Sequence, residues 1–291
     1  MTAPQPLSLA SLRFALVGPG RVGSSLAGWL TSQGARCERV AARSQAGATL
    51  LATALGAAAV AVDDLQSADL DLLLVAVPDP VLAPLAAQLA LRPQAPVVLH
   101  TSGRHSAEVL GALVAPARAL GSFHPLKAFP RPLPDPAEAR GVFFATDGDQ
   151  AAQALARRIG AALGGEVGEV PAASRLIYHL AATLAAGGVT TLVALAAELA
   201  ERERLSPAVG RGYLALAHGA LTAAATASTI PAAITGPVAR GDWATFEAEV
   251  AALRERSSGV VDLVERLAAE TARLVGRERT PGTPTTRTTR T

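Results

Sequence analysis

Three separated stretches hold most of the side chains able to move a proton. They read HTSGRHS (100–106), GSFHPLKAF (121–129) and SRLIYHLAA (174–182). Chemistry that adds or removes a proton on an oxygen or nitrogen needs a group titrating near neutral pH, and histidine does so. His124 is the first candidate, as proton donor or acceptor, and the Ser102 hydroxyl can hold the same polar atom. His179 is a further catalytic candidate and Tyr178 a substrate contact, both near the start of a long apolar stretch. Plainer readings stand beside these. His100 and His105 can cap and pack, and His124 can bond a turn carbonyl ahead of Pro125. Lys127, the only lysine in the chain, is open between neutralising an acidic substrate and lying on the surface. Farther along, ITGPVARGDW (234–243) offers Arg240 as a bidentate partner for a substrate carboxylate. Asp242 there reads equally well as a helix N-cap, and an Arg–Asp braced turn is the structural alternative.

A second motif concerns phosphate. FALVGPGRVGSSLAGWL puts Gly18, Gly20 and Gly23 in G-x-G-x-x-G spacing, directly after an apolar strand and at the start of a helix. The first glycine permits the turn, the second lets a pyrophosphate approach the backbone, and the third lets helix and strand pack closely. The loop Gly18-Pro19-Gly20-Arg21-Val22-Gly23 is therefore expected to cradle a dinucleotide on a helix N-terminus. Twenty residues past Gly23, where a carboxylate would bind a ribose diol, stand Arg43 and Ser44. A cation and a hydroxyl suit a 2′-phosphate, which predicts NADP(H) rather than NAD as cofactor. Arg43 as a solvated turn residue is the alternative. The strand end VAVPDP is expected to lay Val77, Pro78 and Asp79 against the nicotinamide side, with Asp79 as a helix cap instead an even alternative.

The elements that must position these groups alternate at short spacing. Apolar strands are expected at 12–17, 37–44, 58–62, 70–78, 95–103, 117–125, 141–149 and 165–172, with helices at 46–56, 80–91, 105–114 and 150–163 between them. That order predicts an α/β fold, a Rossmann-type doubly wound, mostly parallel sheet, followed by an all-helical C-terminal domain. Boundaries fall at 1–171 for the dinucleotide-binding domain and 172–275 for a helical substrate and dimerisation domain. Residues 276–291 form a Pro/Thr/Arg-rich tail expected to be disordered. The tail holds four Arg and one Glu, so the other 275 residues carry a net −1 against +2 for the whole chain. A near-neutral body excludes the electrostatic footprint of a nucleic-acid binder. One cysteine, Cys37, excludes an internal disulfide and a cysteine-based zinc site, and no metal is expected. The N-terminus has neither the charged start nor the apolar core of a signal peptide, which fits a cytoplasmic protein. Residues 176–197 lack any Asp, Glu, Lys or Arg and are long enough to span a bilayer. Their Ala, Gly and Thr content favours the buried centre of a helical domain, and no membrane is expected.

Taken in order, GPGRVGSSLA, LLLVAVPD, HTSG, GSFHPLKAF, IYHLAA and ITGPVARGD resemble a bacterial family of Rossmann-like proteins whose helical C-terminal domain has no known function. The resemblance spans about residues 12–275. Members are described as candidate NADP-dependent oxidoreductases with a C-terminal domain like that of 6-phosphogluconate dehydrogenase. They also look like relatives of pyrroline-5-carboxylate reductase, ketopantoate reductase and prephenate dehydrogenase. By that analogy Ser102 and His124 stand where prephenate dehydrogenases carry a serine and a His-Pro pair that meet the substrate. The resemblance further implies a homodimer and hydride transfer to or from a small, anionic keto, imino or hydroxy compound, held in a cleft between two domains. Ketopantoate is the specific candidate. Two departures count against simple transfer. Ala186 and Gly187 replace a Ser-Asn pair frequent in the family, and Lys127 replaces a frequent Gln. The missing amide keeps a second expectation open: a catalytically silent NADP-binding sensor or scaffold.

Overall fold

A computed structural model describes residues 8–114 and 119–277. The chain divides into two compact units, Met1–Gly188 and Val189–Thr291. The expected tail lies outside the described residues from 278 onward, as do 117–118 at the head of one expected strand.

The first unit is built on one eight-stranded sheet. Its strands are β1 (Arg13–Val17), β2 (Arg36–Ala42), β3 (Ala58–Ala61), β4 (Leu72–Val75), β5 (Val97–His100), β6 (Ala119–Pro125), β7 (Phe143–Gly148) and β8 (Glu166–Glu169). They lie in the order β3-β2-β1-β4-β5-β6-β7-β8, all parallel except the antiparallel β6–β7 pair. The chain leaves β1 toward one side and returns at β4 on the other, so a switch point opens beside β1. Ligands of doubly wound sheets bind at that place, beyond the carboxyl ends of the strands. Helices α1 (Arg21–Ser32), α2 (Gln45–Leu55), α3 (Asp79–Leu89) and α4 (Gln150–Ala162) supply the crossovers. The expected helix at 105–114 is instead a 3-10 segment, Ala107–Leu113. Gly111 interrupts this short run, and Pro116 stands just past it, so a full α-helix has little to propagate on.

Strand alternation sorts the core into two faces. Phe14, Leu16, Leu72, Leu74, Leu99 and Phe123 point to one face, where Trp29 and Leu30 of α1 cover them. Ala15, Val17, Leu73, Val75, Val98 and Leu120 point to the other, against Leu82 and Leu85 of α3. On this second face the row becomes polar toward the carboxyl edge. Leu120 is followed by Ser122 and His124 at alternate positions, and Val98 by His100. The same period that builds the core thus carries polar groups to the edge of the switch point.

Past β8 comes α5 (Arg175–Thr183), then a π-helical turn, Leu184–Gly188, at which the first unit ends. The second unit holds α6 (Val189–Arg202), α7 (Pro207–Thr226), α8 (Pro237–Arg240), α9 (Trp243–Arg256) and α10 (Val261–Leu274). Its breaks follow local chemistry: the Ser206 side chain caps α7 with Pro207 at the first position, and Asp242 caps α9. Val238, Ala268 and Ala272 pack with Trp243 and Phe246 into a small core. One expectation fails here. The apolar run around 176–197 is not buried in the chain: Leu176, Ile177, Leu180 and Leu184 are 54–69% exposed. The helical run Ala172–Arg202 is long and apolar enough to cross a membrane by length and composition. Among the described residues α6 packs against α7 and buries Ala200, whereas the apolar side of α5 and the π turn is left uncovered.

Candidate nucleotide and proton-transfer site

Sheet register aligns the pieces of the site. Ala41, Val17, Val75, His100, Ser122 and Asp147 form one row across β2, β1, β4, β5, β6 and β7. The glycine loop leaves the sheet immediately after Val17, VPD shortly after Val75, and TSG directly after His100, while His124 lies two residues beyond Ser122. Every motif singled out in the first 125 residues therefore opens onto one edge.

The three glycines of the loop serve separate purposes. Gly18 has φ +94°, and a Cβ there would sit 2.3 Å from the Ala76 carbonyl oxygen. A Cβ on Gly23 would sit 2.1 Å from the Gly18 carbonyl oxygen and 3.0 Å from the Ala76 Cβ. Gly20, by contrast, has nothing within 4 Å of that position. Two glycines are thus demanded by the protein's own packing, and the middle one keeps space clear in front of α1. That helix begins without a side-chain cap and without an acidic residue in its first turn. Its N-terminus offers backbone donors and a positive dipole end to an anion. These features fit a dinucleotide pyrophosphate. Arg43 is exposed and forms no ion pair or hydrogen bond among the described residues. Ser44 is exposed, accepts from the Gly47 N–H at 3.3 Å and so caps α2. Val77 touches the loop, its Cγ1 lying 3.0 Å from the Gly18 Cβ position. Asp79 is the first residue of α3, one place past the N-cap position held by Pro78.

The histidines form a second cluster. His100 is fully buried; its Nδ1 accepts from the Ser102 N–H at 3.1 Å and its Nε2 faces the Ser106 carbonyl at 3.0 Å. Burial, ahead of every other cause, pushes its pKa down to about 4. The Ser102 Oγ accepts from the N–H groups of Arg104 (3.2 Å) and His105 (3.1 Å), closing the loop on itself. That local bonding is the ordinary habit of a loop serine and leaves its hydroxyl proton to be donated elsewhere. His124 lies 2.9 Å through Nδ1 from the Tyr178 hydroxyl, with the two rings edge to face. Burial first, and then the positive potential of His179 and Arg175, push His124 down to about 4. Burial likewise pushes Tyr178 up to about 12. Both groups are therefore neutral at pH 7. The His179 ring stands 6.3 Å from that of His124, and its Nδ1 is buried without a hydrogen-bond partner among the described residues. Gly103 makes this crowding possible: a Cβ there would meet the His124 Nε2 at 2.7 Å and the His179 Nδ1 at 2.9 Å.

Beneath the histidines is a residue that sequence reasoning did not single out. Arg175 is 1% exposed. Its Nε donates to the Val170 carbonyl at 3.1 Å and one terminal nitrogen to the Ser102 carbonyl at 3.5 Å. The other bonds the Ser122 hydroxyl and pairs with the Asp147 carboxylate at 3.2 Å. The signal was available: an arginine three and four residues ahead of Tyr178 and His179 shares their side of the helix.

Of the predicted site residues, the structure brings His124, Ser102, Tyr178 and His179 together within the first unit, at the edge that also carries the glycine loop and Asp79. Lys127 forms a half-exposed ion pair with Glu138 at 3.3 Å, which Arg131 also joins. Arg240 ends α8 of the second unit, exposed, while Asp242 caps α9 through the Thr245 N–H at 3.2 Å, as its alternative reading held.

A glycine-cradled helix N-terminus at the switch point of a parallel sheet defines a nucleotide-binding fold of the Rossmann class. Residues 2–125 match the Rossmann-like domain and residues 142–271 match DUF2520, a domain of unknown function; the chain is a Rossmann-like domain joined to a DUF2520 domain. Among solved structures, a Thermotoga maritima protein superposes with a TM-score of 0.73 at 21% identity, covering 90% of this chain and 98% of that one. A candidate NADP oxidoreductase from Bacteroides fragilis gives 0.72 at 21% identity over 91% and 100% of the two chains. The 1-pyrroline-5-carboxylate reductase of Streptococcus pyogenes gives 0.64 at 15% identity over 91% and 98%. Likeness at these identities speaks for the fold. No curated protein matches this sequence.

Proposed function

We propose that the chain is an NADP(H)-dependent oxidoreductase acting on a small keto, imino or hydroxy acid. One observation carries the reading: a neutral imidazole, His124, is hydrogen-bonded to the Tyr178 hydroxyl on the same sheet edge as the open position at Gly20. Similar folds named as an NADP oxidoreductase and as pyrroline-5-carboxylate reductases support it. A bound nicotinamide supplies the hydride, or accepts it. The chain's own residues then have separable tasks. Gly18 and Gly23 shape the loop, the α1 N-terminus holds the pyrophosphate, and the exposed Arg43 selects a 2′-phosphate over a bare ribose. His124, neutral at pH 7, takes the proton leaving a substrate hydroxyl or amine at Nε2, with its Nδ1–H donating to the Tyr178 oxygen; in the reducing direction the imidazole first takes up a proton from solvent and then gives it to the substrate. Tyr178 holds the ring by its Nδ1. Ser102 donates its hydroxyl proton to the substrate's polar atom.

The test is a panel of keto, imino and hydroxy acids, including ketopantoate and pyrroline-5-carboxylate, offered with NADPH or NADP. Turnover on one of them that falls at least about a hundredfold in His124→Ala, with NADPH affinity retained, is the expected result. A second reading draws on Ala186 and Gly187, which bring no amide to the π turn. In that case the chain binds NADPH as a sensor or scaffold; affinity without turnover on the whole panel marks this outcome. We further infer that a second copy covers the exposed apolar side of α5, making a homodimer. A chain that sediments as a monomer at micromolar concentration, or that partitions with membranes, contradicts this.

A further inference from the structure

We propose that Arg175 is the positioning residue of this site. Its guanidinium ties the 100–103 loop, β6 and β7 to the first turn of α5, and so holds the His124 imidazole against the Tyr178 hydroxyl. The proposal rests on the reading of His124 as the group that moves the proton.

The geometry is specific. Each partner of Arg175 comes from a different piece of chain: the Val170 carbonyl after β8, the Ser102 carbonyl, the Ser122 hydroxyl and the Asp147 carboxylate. Ser122 and Asp147 are directly opposite each other across β6 and β7. Both therefore point to the same side of the sheet and meet one planar fork. Asp147 also accepts the Ala107 N–H at 3.3 Å, which brings the segment after HTSGRHS into the same network. His124 follows Ser122 by two residues on the strand, hence on the same face. Tyr178 follows Arg175 by three residues on the helix, hence on the same side. Moving the fork moves the two partners of the His124–Tyr178 bond apart.

A fully buried cation is costly unless its donors find partners; three of the Arg175 contacts are hydrogen bonds, and the fourth, to Asp147 Oδ1, is an ion pair without hydrogen-bond geometry. The cation also raises the local potential. The groups that face His124 are Tyr178, His179 and Arg175 from α5, Asp79 from α3 and His100 from β5. Asp79 favours the protonated imidazole, whereas Arg175, His179 and His100 disfavour it.

Two variants separate charge from geometry. Arg175→Met removes both; Arg175→Lys keeps the charge and loses the fork. The probe is the full chain with 15N-labelled histidine, His124 being assigned by its disappearance in His124→Ala. In Arg175→Met the His124 midpoint is expected to rise, because a cation that disfavours the protonated ring is gone. In Arg175→Lys the midpoint stays, the wild-type tautomer ratio of the ring changes as its contact with Tyr178 loosens, and turnover falls at least about tenfold with the KM for NADPH unchanged. A folded Arg175→Met chain in which His124 titrates as in wild type overturns the proposal. So does Arg175→Lys with the wild-type tautomer and wild-type turnover. Should Arg175→Met not fold, Arg175→Lys can retain the ion pair with Asp147 and decides alone. The titration requires no substrate, so the two claims fail separately. Without a redox activity the His124 shift persists; without positioning, turnover and the His124→Ala effect persist.

Discussion

The glycine loop and the histidine cluster lie on one sheet edge, but they are made in different ways. The loop is local: six consecutive residues, two of whose glycines are required by contacts with Ala76 and with each other. Its working groups are backbone N–H donors and empty space. The histidine cluster is assembled from the carboxyl ends of β5 and β6 and the first turns of α5, and its working groups are side chains. It depends on a buried arginine that joins four strand and helix ends. A site built from backbone can fail only through sterics. One built from converging side chains can fail through sterics, charge or loss of a distant brace. The comparison predicts that the two regions respond to different substitutions and can be disabled one at a time.

Gly23→Ala is expected to have the largest effect. Its Cβ meets backbone, the Gly18 carbonyl, which has no flexible end to yield. Nucleotide affinity should fall more than about a hundredfold, with at least about 2 kcal/mol of stability lost; affinity within threefold of wild type contradicts the loop's account. Gly103→Ala should do the reverse. Its methyl meets the ring atoms of His124 and His179, which can give way by rotating. NADPH binding should hold while turnover drops about tenfold or more. Loss of NADPH binding in that variant would mean that the two regions are not separable.

Acid should act on the histidine cluster and spare the loop. His100 and His124 stay neutral in the folded chain until about pH 4. In the unfolded chain they take up protons below about 6.5. The unfolded state thus binds more protons between those values, and stability falls as pH drops from about 6.5 to 4, by up to about 3 kcal/mol for each imidazole. Denaturant unfolding at pH 7, 5.5 and 4.5 measures this, and the slope should shrink in His124→Ala. Lys127→Ala should change least. The ion pair it loses is partly solvated, and Arg131 remains on Glu138, so stability should move by no more than about 0.5 kcal/mol. A tenfold loss of turnover in Lys127→Ala would bring that lysine into the site.

The same contrast governs how much could be read from sequence. The loop was readable because its signal is contiguous: strand, spaced glycines, helix. The sheet was readable because apolar runs and turn residues alternate on a short period, and the α9 cap at Asp242 because capping is local. His124, Ser102, Tyr178 and His179 could be named as types suited to proton chemistry, but their meeting could not be read. That meeting depends on register across β5 and β6 and on where α5 docks. Arg175 passed unnoticed because arginine is the commonest cation in this chain, and nothing local marks this one as buried. Gly103 was quoted within HTSG, yet its need follows only from two rings brought against it from elsewhere. The apolar run after residue 175 was expected inside the fold. Composition reports that such a helix requires cover, and does not report which chain supplies it.

Whether the nucleotide site selects a 2′-phosphate is decided by titrating NADPH and NADH into the wild-type chain and into Arg43→Ala. NADPH should bind more tightly than NADH by at least about tenfold in the wild type, a preference that Arg43→Ala largely abolishes by weakening NADPH alone. Equal affinity for the two nucleotides, unchanged in Arg43→Ala, would remove the NADP(H) assignment. Binding of neither would contradict the nucleotide site itself.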